Sequence, residues 1–382
     1  MKNSILITTP KGLAPYLAEE VKELGFPVIW TGLTGVETEG IYSDTYTLNL
    51  HIRTGHHVLF LIKYFKCQSP DDLYRNVNLI PWETILSPDC YLSVVSHVDH
   101  PTINDSRFAN LKCKDAIVDR ITSRKGTRPD SGPDKTGAVI NLFWKNEICR
   151  VYIDTSGDPL SKRGYRKIPL GAPMQETLAA AVVMASRWNA GEHFINPMCG
   201  SGTLAIEAAL IGINKAPGLM RTSFGFMHTL LFNREQWNET KKIAIARIRR
   251  PIQGQIVGSD ISMDAVDAAR QNAENAGVKD CIRFSTGEYD AVPVPEEGSG
   301  IIMMNPEYGF RLGKEDELEA VYRGIGSFLK HKCQGYRGYV FTGNTTLIGK
   351  IGLKAKRRIP FYSGQIECRL YEYELYQGKK CD

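Results

Sequence analysis

Residues 195–204 read Ile-Asn-Pro-Met-Cys-Gly-Ser-Gly-Thr-Leu, and residues 301–309 read Ile-Ile-Met-Met-Asn-Pro-Glu-Tyr-Gly. The first segment has an apolar lead-in from His193, a turn carrying Gly200 and Gly202, and a strongly helix-forming run from Thr203 to Ile211. A strand, a glycine turn and a helix N-terminus expose unpaired backbone N–H groups to a polar or anionic ligand. Between the two segments, residues 255–261 (QIVGSDI) form a second apolar strand that ends in Asp260. At the carboxyl edge of a parallel sheet, such a carboxylate is placed to accept both hydroxyls of a ribose. The helix MDAVDAARQNAENAG follows and is closed by Gly277, a C-terminal glycine of the usual kind. The third strand delivers Asn305, Pro306 and Tyr308 to the same edge. The fold class is therefore α/β, with strand–helix alternation from Asp154 onward.

Composition sets outer limits. The 382 residues are 42% apolar and 23% charged, enough for two or three domains with substantial cores. Nine scattered cysteines, never spaced C-x-x-C, argue against a disulfide framework and against a zinc site. They fit a reducing, cytoplasmic setting. No apolar run reaches the roughly 18 residues that a membrane span needs. The start, MKNSILITTPKGLAPYLAEEVKELG, lacks the apolar stretch and cleavage site of a signal peptide and reads as a mature N-terminus. The net charge of +5 is a modest argument for nucleic acid, but residues 161–250 carry 13 Lys or Arg against 5 Asp or Glu. That excess includes the turn Lys162-Arg163-Gly164-Tyr165-Arg166-Lys167, where phosphate contacts and base stacking would coexist.

A dinucleotide-binding turn would require G-x-G-x-x-G at the helix opening, and this chain has C-G-S-G-T at 199–203. The pattern instead resembles a class I S-adenosylmethionine methyltransferase, whose fourth motif is Asn-Pro-Pro-Tyr. A base amine is weakly nucleophilic because its lone pair is delocalised, so a site must hold its hydrogens with acceptors. The Asn305 side-chain carbonyl and the Pro306 backbone carbonyl are suited to that task, and Pro306 brings no competing N–H. Tyr308 offers a flat face for a splayed base, worth about 1–3 kcal/mol. Cofactor-binding residues are expected at Pro173 and Thr177, through the turn at Asn196, Pro197, Met198, Gly200, Ser201, Gly202 and Thr203, and at Asp260 and Ile261. An acid in the loop after CIRFSTG, Glu288 or Asp290, is expected at the adenine amine. Cys199 reads as a small packing residue, and direct methyl transfer calls for neither a covalent intermediate nor a metal.

The amino-terminal half shows β-α-β-β-α-β order over residues 1–65, which suggests a ferredoxin-like unit. Residues 66–155 hold the strand YLSVVSHV, the helix FANLKCKDAIVDRITSRKG and a hairpin-like pair, with GTRPDSGPDKTGA as a loop. The segments Asp154-Thr155-Ser156-Gly157, Lys162-Arg163-Gly164-Tyr165-Arg166 and Ala172-Pro173-Met174-Gln175-Glu176-Thr177-Leu178, with Lys114-Asp115-Ala116-Ile117-Val118-Asp119, resemble the THUMP-containing RNA guanine-N2 methyltransferases. That resemblance implies formation of N2-methylguanosine in structured RNA, ribosomal (23S) or transfer. It divides the chain into a ferredoxin-like domain at 1–65, a THUMP domain at 66–155 and a methyltransferase domain at 156–382. Lys162, Arg163, Tyr165 and Arg166 would meet RNA. Two departures stand out: Ser161 occupies a position usually held by His, and Glu307 replaces the second proline of the motif. Glu307 either points to water or faces the N1–H and N2–H donors of guanine, which adenine lacks. Adenine-N6 methylation and a non-catalytic RNA-binding role in ribosome assembly remain open on the motif alone.

Overall fold

The computed structural model describes residues 2–101, 105–168, 173–249, 252–307 and 315–376. The chain forms two compact units. The first comprises Met1–Thr9, Leu17–Lys162 and Arg221–Ile243; the second comprises Pro10–Tyr16, Arg163–Met220 and Ala244–Asp382.

The amino-terminal elements run β1 (Asn3–Thr8), α1 (Ala14–Glu23), β2 (Trp30–Thr31), β3 (Gly35–Gly40), α2 (Asp44–His51) and β4 (His57–Lys66), the expected β-α-β-β-α-β order. They continue as α3 (Pro70–Asn78), β5 (Tyr91–Asp99), α4 (Ser106–Lys125), β6 (Asp130–Ser131), β7 (Ala138–Lys145) and β8 (Ile148–Asp154). The strands form one eight-stranded sheet ordered β2-β3-β1-β4-β8-β7-β5-β6. Antiparallel pairing of β4 with β8 makes it continuous, so the two amino-terminal domains expected from sequence share a sheet. Trp82, Trp144 and Ile117 are fully buried among the side chains beneath its second half. Helix α3 was not expected; its start is nevertheless written in the chain, since Ser69 caps Asp72 N at 3.1 Å and Pro70 opens the helix.

Arg221–Ile243 belongs to the first unit although it follows the glycine turn in sequence. Phe226 packs on Tyr46 with ring centroids 4.6 Å apart, and the Asn233 amide donates to the Tyr46 hydroxyl at 2.9 Å. A reading by motif order assigned this stretch to the carboxy-terminal domain, because aromatic packing across nearly two hundred residues leaves no local periodicity.

The remaining elements are α5 (Glu176–Ala185), β9 (His193–Pro197), α6 (Thr203–Gly212), α7 (Arg234–Ala246), β10 (Ile256–Asp260), α8 (Met263–Asn275), β11 (Ile282–Thr286), β12 (Gly300–Met304), α9 (Glu315–Lys332), β13 (Arg337–Thr342), β14 (Arg357–Ser363) and β15 (Ile366–Glu374). The second sheet is ordered β11-β10-β9-β12-β13-β15-β14. Its first five strands are parallel, and β15 runs antiparallel to both neighbours. The chain moves outward from β9 to β11 and returns to β12 on the other side of β9. That reversal is a topological switch point, where open α/β sheets bind ligands at the carboxyl ends of their strands. Buried Phe194, Ile206, Ala209 and Phe341 build the core on one face, and buried Ile302, Met304, Tyr322 and Phe328 build it on the other.

Trp82 is fully buried and its indole N–H donates to the Val77 carbonyl at 2.8 Å. Trp82→Ala is expected to destabilise the first unit by about 3–5 kcal/mol in denaturant titration; a loss under about 1 kcal/mol would contradict this account of its core.

Candidate active site

Parallel register aligns four strands: Pro197 lies beside Ser259, Asp260 beside Thr286, and Ile302 beside Ile195. After Pro197 the backbone reverses through positive φ at Met198 (59°), Gly200 (53°) and Gly202 (81°). Gly202 admits no side chain, since an added Cβ would stand 2.9 Å from the Ala269 Cβ of α8. At Gly200 an added Cβ would meet open space, so the turn presents bare backbone there.

Asp260 fixes the turn from the neighbouring strand. Its carboxylate accepts Gly200 N–H at 2.8 Å and Ser262 N–H at 3.0 Å, one on each oxygen. Each oxygen retains lone-pair capacity for a further donor such as a hydroxyl. Asn196 ties β9 to β12 by donating to the Met303 carbonyl at 2.7 Å, and Asn272 of α8 donates to the Ser201 carbonyl at 3.2 Å. Pro197, Ser201 and Thr203 are buried, Met198 is half-buried, and Ile261 and Glu288 are exposed at the edge. Glu288 follows Gly287, whose amide donates to the Asp260 carbonyl at 2.9 Å. Asp290 is engaged by Lys332, with Nζ 3.8 Å from its carboxylate. Burial, reinforced by the Asp260 charge, pushes the Cys199 thiol far above its ordinary pKa, which keeps it from being a nucleophile.

From β12 the chain delivers Asn305 and Pro306, with Pro306 buried. The Asn305 Oδ1 atom is buried and has no hydrogen-bond partner among the described residues. A buried carbonyl without a partner costs about 1–3 kcal/mol. Glu307 is exposed, and its backbone carbonyl receives the Tyr322 hydroxyl at 3.4 Å. Tyr308 lies outside the described residues.

The basic turn requires a correction. Arg163 and Tyr165, expected at RNA, are each 1% exposed. The Tyr165 hydroxyl donates to Glu207 at 3.2 Å and the Arg163 guanidinium stands 3.5 Å from the same carboxylate oxygen. A ring with no exposed face cannot stack on a base; here it is core. Arg166 is directed inward too: Nη2 donates to the Met174 carbonyl at 2.6 Å and to Thr203 Oγ1 at 3.0 Å. Lys162 alone of the four is exposed. Sequence reasoning missed this inward brace because its one local signal, a polar Glu207 inside the apolar run TLAIEAALI, does not say which distant residues it pairs with. Thr177, in the first turn of α5, is fully buried, its Oγ1 without a hydrogen-bond partner among the described residues, and Pro173 is half-buried ahead of that helix, which begins at Glu176.

Two outcomes follow. Both glycines have positive φ, but only Gly202 is sterically closed, so Gly202→Ala is expected to cost about 1–3 kcal/mol and Gly200→Ala less, measured by thermal unfolding; the reverse order would contradict the turn geometry. Burial raises the Glu176 carboxyl pKa more than the Arg166 charge lowers it. The stability tied to its protonated form is thus full below the unfolded pKa and is lost as pH rises through the folded one. Glu176→Gln is expected to flatten that fall in a pH series of unfolding curves, and an unchanged slope would argue against it.

Residues 163–372 match the family model described as RMKL-like, methyltransferase domain; residues 4–59 match the RlmL ferredoxin-like domain and 67–154 the THUMP domain. The chain is 37% identical over 381 residues to the ribosomal RNA large subunit methyltransferase K/L of Syntrophotalea carbinolica, covering 97% of this chain and 53% of that protein. It therefore spans about half the length of the K/L relatives it matches. A putative RNA methyltransferase of Synechocystis sp. is 32% identical, with 97% of this chain and 96% of that protein covered. Among solved structures, SMU.472, a putative methyltransferase complexed with SAH, superposes with a TM-score of 0.88 at 26% identity, covering 99% of each chain. The chain belongs to the RMKL-like methyltransferase family, as the motif resemblance implied.

Proposed function

We propose that this member of the RMKL-like family is an S-adenosylmethionine-dependent RNA methyltransferase that forms N2-methylguanosine in large-subunit (23S) ribosomal RNA, with transfer RNA as the second candidate substrate. The observation that carries this reading is the buried Asn305 Oδ1, without a hydrogen-bond partner among the described residues, at the strand edge where the glycine turn and Asp260 also emerge. The names of the K/L and Synechocystis relatives and the SAH in SMU.472 support the substrate class and the cofactor. The expected division at 1–65, 66–155 and 156–382 then becomes a division of labour, with the ferredoxin-like and THUMP segments gripping structured RNA. Among the described residues no helix is long and apolar enough to cross a membrane. A cytoplasmic setting belongs to this same reading.

The residues present suit the cofactor. The open face of Gly200 and the N-terminus of α6 would line its methionine end, Asp260 its ribose, and Glu288 with Ile261 its adenine. When bound, S-adenosylmethionine supplies an electrophilic methyl on a sulfonium. The work of the protein is then positional. Asn305 Oδ1 and the Pro306 carbonyl accept the two N2 hydrogens of guanine, turning the nitrogen lone pair toward the methyl, and Tyr308 stacks on the base. Orientation of this kind supplies most of the acceleration. Arg163, Tyr165 and Arg166 brace the pocket rather than touch RNA, while exposed Lys162, paired with Asp158 at 2.8 Å, could exchange that partner for a phosphate.

Asn305→Ala is expected to lower single-turnover methyl transfer by about 10²–10³-fold, with RNA affinity by filter binding and SAH affinity by calorimetry held within about threefold. Retained transfer would remove Asn305 from the chemistry. Replacing Glu307 first with Gln and then with Pro asks whether its carboxylate reads the guanine edge; a shift of label from guanine toward adenine is expected, and unchanged guanine selectivity would place Glu307 in water.

A further inference from the structure

Over its second half the eight-stranded sheet packs α3 and α4 on one face, where Phe65, Trp144, Cys149 and Val151 share a core with Leu73 and Ile117. Side chains alternate along a strand, so Tyr64, Phe143 and Arg150 stand on the opposite face, and His97 of β5 joins them. Register lines these four up across four adjacent strands. Tyr64 of β4 lies beside Arg150 of β8, Arg150 beside Phe143 of β7, and Phe143 beside His97. The His97 and Phe143 rings stack with centroids 4.9 Å apart, and Tyr152 of the same face meets Phe143 edge-on at 5.7 Å. The row is open to solvent: Tyr64 is 67% exposed, Arg150 and His97 are exposed, and Phe143 is half-buried.

Charge separates the two faces. On the helical side, Arg75, Arg107, Lys112, Lys114 and Arg120 pair with carboxylates. On the open face Lys66 and Lys145 lie one row beyond Arg150, and none of these three exposed cations makes an ion pair among the described residues. The acids of that face are Asp99, beside Lys145 in register, and Glu37, which Ser4 engages. Flat rings with free cations among them suit a strand of unpaired nucleotides, because a ring stacks on any base and the cations meet the phosphates. A duplex, whose bases already stack on one another, would offer this row its phosphates alone. We propose that this sheet face is a platform for unpaired RNA nucleotides, with Tyr64 and the His97–Phe143 stack receiving bases and Arg150, Lys66 and Lys145 the backbone; this rests on the RNA reading above and adds the surface and the form of RNA it takes. Since β4 supplies Tyr64 and the later strands supply the rest, the platform exists only because the two amino-terminal segments share one sheet.

The test is fluorescence anisotropy of the full chain with a labelled oligouridine of about ten nucleotides, a blunt RNA duplex of the same length, and labelled polyglutamate. Wild-type protein is expected to bind oligouridine about tenfold more tightly than the duplex. Tyr64→Ala should weaken oligouridine by about five- to a hundredfold, the worth of one stacked base, and leave the duplex unchanged; Tyr64→Phe keeps the ring face and the affinity. Replacing Lys66, Lys145 and Arg150 together with Gln should lower the slope of log affinity against log salt by about two, at roughly 0.7 per phosphate on a single strand. These side chains are exposed, so the variants are expected to unfold at the wild-type temperature. Full oligouridine affinity in Tyr64→Ala, an unchanged salt slope in the triple variant, or duplex bound as tightly as oligouridine would each overturn the platform. Polyglutamate bound more tightly than oligouridine would also overturn it and make the face a dock for an acidic protein segment. Wild-type protein that binds neither RNA form nor a ribosomal RNA pool would remove the RNA reading itself, an outcome distinct from variants that fail to change an affinity the wild type shows.

Discussion

The hydrogen bond from the Gly200 amide to the Asp260 carboxylate is the interaction on which the rest of the site depends. It joins the turn after β9 to the end of β10, and it can form only because parallel register puts Pro197 beside Ser259. With the turn held this way, the α6 N-terminus faces the same edge as Asn305. A carboxylate accepting two backbone N–H groups, here those of Gly200 and Ser262, is strongly oriented. The lone pairs left over are the ones a ribose would meet.

A second layer of polar groups holds that edge from behind. Asn196 links β9 to β12, Asn272 links α8 to the turn, and Glu207 gathers Arg163 and Tyr165 inside the core. Burying such groups is costly unless they are bonded, and most of these are. Buried atoms without a hydrogen-bond partner among the described residues occur at Thr177 Oγ1, Arg166 Nε and Asn305 Oδ1, and also on the braces themselves, at Asn196 Oδ1 and Glu207 Oε2.

Much of this was legible in the chain. The glycine turn, Asp260 and the Asn-Pro pair each declare themselves locally, through an apolar strand followed by a residue type that suits a sheet edge. The ferredoxin-like order followed from alternating apolar runs. The parts that resisted reading depend on distant partners. Arg163, Tyr165 and Arg166 look like an RNA-binding turn until Glu207 and Thr203, about forty residues away, are seen to receive them. The stretch Arg221–Ile243 looks like part of the carboxy-terminal domain until Tyr46 is found beneath it. Helix α3 was a different kind of miss, since its Ser-Pro-Asp-Asp start carries a local signal that strand-rich surroundings hid. Long-range pairing leaves no periodicity in sequence, and charge alone does not say which way a side chain points.

The most direct measurement is the identity of the methylated nucleoside. Purified protein is incubated with methyl-labelled S-adenosylmethionine and separate unmodified ribosomal and transfer RNA pools, followed by digestion and chromatography with mass spectrometry. Label in N2-methylguanosine from the ribosomal pool is the predicted result. Label in N6-methyladenosine would contradict the guanine assignment, and no label in either pool while S-adenosylmethionine still binds would make this a protein that grips RNA without modifying it.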